Sequence, residues 1–126
     1  MKIRTGFVSN SSSSSFMIYG AAFDPEEIRN FISENFELSE EDEEFLDDSN
    51  YEIAELFGDK MSGWLKVNSL ECITGQDAET IYIGMSPATF PNDKTVGNIK
   101  KSIEDSIKTK FPNASFGWNE ECWYNG

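Results

Sequence analysis

The sequence predicts one domain of the mixed α+β class. Apolar runs typical of strands alternate with stretches whose apolar residues recur at helical spacing, and turn-forming residues separate them. The chain has 126 residues, so it can bury about two-thirds of the surface that its unfolded form exposes. Its ten Phe, four Tyr and three Trp residues can fill a core. These aromatic residues argue against intrinsic disorder despite the high charge.

The first elements are a strand and a helix. Residues 16–23 are apolar on both alternating faces, which predicts a central strand covered on both sides. Asp24 then offers a helix N-cap, Pro25 occupies the first helical position, and Glu27 stands three residues after the cap. The apolar residues that follow at helical spacing are Ile28, Phe31, Ile32 and Phe36. We therefore expect a helix over residues 25–36.

An acidic stretch and a pair of strands come next. Ser39 followed by three acids marks a second helix start, and residues 47–50 favour a turn between two shorter helices. Gly58 is expected to end the second of them. Residues 64–73 and 80–85 are typical of strands, and the polar connection between them is compatible with a hairpin.

The last elements are a helix and a strand. Residues 87–92 are expected to form a loop, and Thr95 caps a helix that Pro112 ends. The apolar stripe of this helix is Val96, Ile99, Ile103, Ile107 and Phe111. Residues 114–124 read as a final strand. The resulting order predicts a ferredoxin-like βαββαβ sandwich with an acidic helical insertion after the first helix.

The final strand raises a question of register. Alternation places Glu120 on the same face as Phe116, Trp118 and Cys122. Either a bulge at Glu120 and Glu121 shifts the register, or the Glu120 carboxyl is half-buried with a raised pKa. We favour the bulge, because an unpaired buried charge is costly.

Three aromatic residues are candidates for an exposed sheet face. Tyr19, Tyr82 and Trp123 are expected there, because sheets of this architecture often leave one face open. Bases of RNA stack on such residues in related folds, but the basic surroundings that phosphates need are missing. Core packing or a dimer interface explains these aromatics better.

The N-terminal segment carries a recognisable string. Gly6-Phe7-Val8-Ser9-Asn10 precedes an unbroken run of serines and then Phe16. These residues resemble the leader of assorted uncharacterised proteins of tailed bacteriophages and some bacteria. The resemblance covers about the first 16 residues and implies a phage or prophage origin and an intracellular setting. We expect residues 1–15 to form a Ser-rich leader and residues 16–126 to form the domain.

The serine run has three interpretations. It can be a surface loop that joins a short N-terminal strand to the next one, or an exposed peptide that another protein recognises, modifies on serine or cleaves. An anion-binding loop is a poor third, because a phosphate cradle needs several glycines, a lysine and a following helix. The serines concerned are Ser11, Ser12, Ser13, Ser14 and Ser15.

The net charge of −13 comes almost entirely from one segment. Residues 24–59 contain fifteen acids and a single base, Arg29, whereas the rest of the chain is close to neutral. Such a field repels nucleic acid and anionic membranes and attracts basic protein surfaces. We therefore expect neither nucleic acid nor a membrane among the partners.

The densest part of this segment holds eight acids in twelve residues. If helical, it is about 18 Å long and approaches the charge density of duplex DNA, as in a protein that mimics DNA, although it matches only about five base pairs. The acids can instead form a solvated face. A calcium loop at residues 48–59 fits poorly, because it lacks the central glycine and the final glutamate. The candidate partner-binding residues are Glu37, Glu40, Glu41, Asp42, Glu43, Glu44, Asp47 and Asp48.

Several classes of function are disfavoured. The chain has no histidine, which removes Ser-His and Cys-His pairs and the commonest metal ligand. No signal peptide is expected at the start, so we expect a cytoplasmic protein with Cys72 and Cys122 reduced. We expect no enzyme, cofactor or metal. The sequence favours a protein-binding factor that acts on a basic host protein surface; alternatively, it is a structural or homodimeric module that associates through an exposed aromatic sheet face.

Overall fold

The computed structural model describes residues 13–74 and 79–124, with only the backbone described for residues 13–16 and 121–124. It contains one four-stranded antiparallel sheet and five α-helices. In chain order the elements are β1 (Ser13–Phe23), α1 (Pro25–Asn35), α2 (Glu40–Asp48), α3 (Asn50–Lys60), α4 (Ser62–Val67), β2 (Glu71–Thr74), β3 (Ile81–Met85), a 3-10 turn (Pro87–Thr89), α5 (Val96–Lys108) and β4 (Phe116–Tyr124). The α+β class is confirmed. The predicted βαββαβ order with its helical insertion is not matched exactly, because a third inserted helix, α4, precedes β2.

The sheet has the strand order β2-β3-β1-β4. β1 is central, as predicted, and pairs with β3 through Tyr19 and Met85. It also pairs with β4 over nine residues, from Ser13 opposite Tyr124 to Ala21 opposite Phe116. This long pairing explains why β1 begins at Ser13, three residues before the predicted start. The edges of the sheet are β2 and β4.

The helices cover one face of the sheet and enclose the core. Tyr19, Ala21 and Phe23 of β1 point into this core, together with the buried isoleucines of α1, β3 and α5. Phe57 of α3 is fully buried, with its ring centroid 5.8 Å from that of Phe31. On the opposite face of β1, Ile18 is buried but Ala22 is exposed. Within the described ranges, no helix is long and apolar enough to cross a membrane.

The middle of the chain corrects two predictions. α3 runs through Gly58 to Lys60, because Phe57 and Met61, one turn apart, both pack in the core. The predicted strand over residues 64–73 shrinks to β2, since α4 takes its first part. The buried Leu65 continues the helical core stripe from Met61, and the Leu65 amide donates to the Met61 carbonyl at 2.9 Å.

The ends of α4 and α5 follow local chemistry. Ser69 adopts a left-handed φ of 56°, and the Leu70 amide donates back to the Leu65 carbonyl at 2.8 Å. This geometry ends α4 in the manner of a Schellman motif. At α5 the predicted cap is confirmed, because the Thr95 hydroxyl accepts from the Asn98 amide at 3.2 Å. Val96 is 52% exposed and does not belong to the buried stripe.

The last strand corrects the prediction of a bulge. The pairing of β4 with β1 is continuous through Glu120 and Glu121. Glu120 is exposed rather than half-buried, because β4 is an edge strand that extends beyond the helical layer. The exposed aromatic residue described on this sheet is Trp118, whereas Tyr19 is buried in the core and Tyr82 is half-buried on the opposite face. The Trp123 side chain lies outside the described part.

Candidate protein-binding site

Helix α2 begins with a reciprocal cap. The Asp42 amide donates to the Ser39 hydroxyl at 3.1 Å, and the Ser39 amide donates to the Asp42 carboxylate at 3.3 Å. The backbone hydrogen bond from Ser39 lowers the pKa of Asp42 below its usual value, and the Lys60 ammonium lowers it further. Four acids occupy the first turn of α2, where the helix dipole favours negative charge.

A sharp break separates α2 from α3. Ser49 has extended backbone angles, with φ −159° and ψ 166°, and stands both at the end of α2 and at the start of α3. This confirms the predicted turn between two shorter helices. Lys60, the last residue of α3, forms an ion pair of 3.3 Å with Asp42 in the first turn of α2. The two helices therefore run antiparallel.

The other end of α2 is attached to α1. Arg29 forms an ion pair with Asp47, and its guanidinium also donates to the Leu46 carbonyl at 3.4 Å. The Leu46 side chain is buried in the core. One cation from α1 and one from α3 therefore fix α2 at its two ends, and its outer face remains available.

The predicted acidic residues lie on α2, apart from Glu37, which precedes it. All except Asp42 are exposed. Asp42 and Asp47 are the two that are neutralised, by Lys60 and Arg29. In the described part of the chain, the other six have no ion pair; they are Glu37, Glu40, Glu41, Glu43, Glu44 and Asp48. The negative charge is thus concentrated on one patch and is only partly compensated.

A groove runs between α2 and α3 beside this patch. Its walls carry four carboxylates and its floor is apolar, with a volume of about 460 Å³. Phe45 is half-buried and Leu56 is buried, so the floor is fixed by the core below it. This acidic groove is lined by Glu41, Asp42, Phe45, Glu55, Leu56 and Asp59.

The candidate residues named from the sequence include two of the four carboxylates of this groove. Glu41 and Asp42 were among them, whereas Glu55 and Asp59 of α3 were not. Their spacing contains the missing signal, because Glu55 and Asp59 are one helical turn apart, as are Glu41 and Phe45. Their convergence depends on the antiparallel packing of α2 on α3, which local sequence does not specify.

Two carboxyls meet at the break between the helices. Asp48 at the end of α2 lies beside Glu52 in the first turn of α3. Oε2 of Glu52 is shielded from solvent and accepts no hydrogen bond from the described residues. The nearby Asp48 carboxyl, together with loss of hydration and the charge of Glu55, raises the pKa of Glu52. This arrangement costs stability when Glu52 is ionised.

We expect Glu52→Gln to stabilise the protein at pH 7. Because the folded pKa of Glu52 is raised, wild-type stability falls as pH rises from the usual Glu pKa of about 4.3 through the folded value. The gain of the variant should therefore be full above the folded pKa and vanish below pH of about 4. Urea unfolding monitored by circular dichroism across this range measures it. Glu44→Gln removes the same charge at an exposed position and should give a smaller gain at pH 7; equal gains in both variants would contradict the account.

The predicted leader lies mostly outside the described residues. Ser11 and Ser12 belong to that part, whereas Ser13, Ser14 and Ser15 form the start of β1. Elsewhere, burial raises the pKa of the Cys72 thiol to about 12, so this thiol is protonated at neutral pH. Among the described residues, no group of three or more suitable side chains could hold a metal ion.

No family model matches the chain. No curated protein and no solved structure is significantly similar to it.

Proposed function

We propose that the protein binds a basic segment of another protein in the acidic groove. The observation that carries this proposal is the combination of acidic walls with the apolar floor of Phe45 and Leu56. Lysine and arginine side chains have aliphatic stems that pack on apolar surface while their charged ends remain solvated. A cationic amphipathic helix fits both features, because its basic side chains can reach the carboxylates on either wall.

Charge supports the same partner class. Six of the eight acids around α2 have no ion pair among the described residues, so a cationic partner can neutralise them without displacing an internal base. Electrostatic attraction of this kind mainly increases the association rate and selects against acidic partners. The resemblance of residues 6–16 to phage leaders supports a partner in a bacterial host cell.

The geometry favours this mode over mimicry of duplex DNA. α2 has nine residues, which gives about 14 Å of helix and corresponds to only about four base pairs. α3 folds back beside α2 instead of extending it. A surface of this length is sufficient to bind one cationic segment. A protein that binds duplex DNA contacts a longer stretch of the DNA backbone than this surface could imitate.

Binding of a designed peptide tests the proposal. The probe is a fluorescently labelled amphipathic helix of lysine and leucine, with a scrambled peptide of equal composition as its control. We expect Glu41→Lys/Glu55→Lys to weaken binding by about tenfold or more. Glu26→Lys/Glu34→Lys changes the net charge equally on the exposed face of α1 and should weaken it by about twofold. Phe45→Ser should weaken binding of the amphipathic peptide without any change of charge.

The salt dependence separates two outcomes. Raising ionic strength from about 50 to about 300 mM should weaken binding of both peptides, because exposed charges are screened. The amphipathic peptide should keep its advantage over the scrambled one, since the apolar floor is insensitive to salt. Equal loss in the groove and α1 variants, or equal affinity for both peptides, would reject the groove in favour of diffuse attraction.

We also infer that the sheet with α1 and α5 is a ferredoxin-like sandwich into which α2, α3 and α4 are inserted. The strand order supports this: β3 lies between β1 and β2, and β1 lies between β3 and β4, as in a split βαβ arrangement. In this arrangement the insertion carries the acidic groove, and the sandwich supports it.

A further inference from the structure

The outer edge of β4 is open in the described part of the chain. β4 pairs with β1 along one side over its full nine residues, and no described strand lies on its other side. Such an edge presents unpaired backbone donors and acceptors and is a template for another strand. β2, the opposite edge, has only four residues and is packed against α3.

An apolar patch adjoins this open edge. Trp118 is 45% exposed, and Met17 on the neighbouring strand is 43% exposed on the same face. The indole packs edge-on against Tyr19 at 5.4 Å between ring centroids and lies 6.1 Å from Phe90. Trp118 is therefore held in position by its neighbours while about half of its surface faces solvent.

Cations from α5 border the patch. The Lys100 ammonium is 5.0 Å from the ring centroid of Tyr19 and 5.3 Å from that of Trp118, and the Lys108 ammonium is 5.6 Å from that of Phe116. Glu104 accepts a hydrogen bond of 2.5 Å from the Tyr19 hydroxyl, and the bond raises the pKa of Tyr19 to about 12. The edge at β4 is therefore of mixed charge.

The acidic helices lie toward the opposite edge of the sheet. α3 packs against β2, the strand farthest from β4. Two copies that approach through β4 thus keep their acidic grooves far apart. For a chain with a net charge of −13, this separation limits the repulsion between them.

We propose that two copies of the chain pair through β4 as an antiparallel, two-fold symmetric dimer centred on Trp118. This register places the two exposed indoles opposite each other. It also places Glu120 of each copy opposite Phe116 of the second copy, where Lys108 supplies a cation. Centring on Glu120 would instead set two carboxylates face to face, which destabilises strand pairing.

The helices leave room for this arrangement. α5 packs over β1 and β3, and in the dimer three strand spacings separate the two copies of β1. At about 4.8 Å each, these give about 14 Å, more than the 8–10 Å at which helices come into contact. The two indoles fill part of this gap, and the sheet becomes a continuous eight-stranded one with one acidic groove toward each end.

Charge-reversal variants studied by sedimentation velocity test the dimer. At about 5 to about 100 μM wild type should populate a dimer. Glu120→Lys and Lys108→Glu should each weaken dimerisation by about tenfold, because each brings like charges together twice. The double variant should restore it. Lys101→Glu makes the same charge change at an exposed position that pairs with Asp105 within α5, and it should leave dimerisation unchanged.

The contrary outcomes are distinct. A protein that stays monomeric at the highest concentration would reject the dimer. The same result follows if another segment of the same chain covers β4. A dimer that the single variants do not weaken, or that the double variant does not restore, would reject this interface. Far-ultraviolet circular dichroism confirms that each variant is folded. None of these results bears on the acidic groove, which lies toward the opposite edge of the sheet.

Discussion

Phe57→Ala should lower the free energy of unfolding by about 4 kcal/mol, since removing a fully buried Phe leaves a cavity that its neighbours fill only in part. Phe57 has no exposed surface, and its ring centroid lies 5.8 Å from that of Phe31 and 6.1 Å from that of Phe111. It joins α3 to both α1 and the segment after α5. Urea unfolding followed by circular dichroism gives the free energy.

The consequence should extend to the acidic groove. α3 supplies one wall of the groove, so loosening its attachment should increase amide hydrogen exchange in α3 more than in β1. Val67→Ala is the matched control, because Val67 is 83% exposed and should change stability by about 0.5 kcal/mol at most. A loss below about 1 kcal/mol for Phe57→Ala would show that Phe57 does not anchor α3.

Gly20→Ala should destabilise the protein by about 3 kcal/mol, through overpacking against backbone that cannot move aside. Gly20 of β1 pairs with Gly84 of β3. A Cβ on Gly20 would overlap the Ile83 carbonyl oxygen and come within 2.6 Å of the Gly84 Cα. A Cβ on Gly84 would come within 2.8 Å of the Tyr19 carbonyl carbon, so Gly84→Ala should have a similar effect. Thermal unfolding and urea unfolding both measure the loss.

The matched control lies on β4, on the other side of β1 in the sheet. Gly117 of β4 pairs with Gly20 from the other side, and a Cβ added there would meet nothing within 4 Å. Gly117→Ala should therefore change stability by less than about 1 kcal/mol. If Gly20→Ala were as mild as Gly117→Ala, the close approach of β1 and β3 would not constrain these two positions.

The helices with local signals were predictable. The cap at Asp24 and Pro25 defines the start of α1, and the cap at Thr95 defines the start of α5, because N-cap chemistry acts within three residues. Continuation through Gly58 and helix formation at Trp64 were not predictable in this way. There the burial of Met61 and Leu65 in the shared core outweighs two local preferences. These are the low helix propensity of Gly58 and the strand propensity of the residues that begin at Trp64.

The candidate site likewise has features that local sequence predicted and features that it did not. The sequence predicted the acids of α2 and the break near Ser49, since both are local in the chain. It did not predict that Glu55 and Asp59 face Glu41 across an apolar floor, because that depends on how α3 folds back on α2. The exposure of Glu120 was missed for a related reason: alternation assigns a face to a residue but not the cover above that face.

By itself, the sequence determined the α+β class, the starts of the capped helices and the concentration of negative charge between residues 24 and 59, because propensity, capping and charge are properties of neighbouring residues. Tertiary structure alone decided the order of the strands, the side of the sheet on which the acidic helices pack, and which edge stays open. These features arise from contacts between residues far apart in the chain, where burial of the whole core selects among arrangements that local preferences leave equivalent.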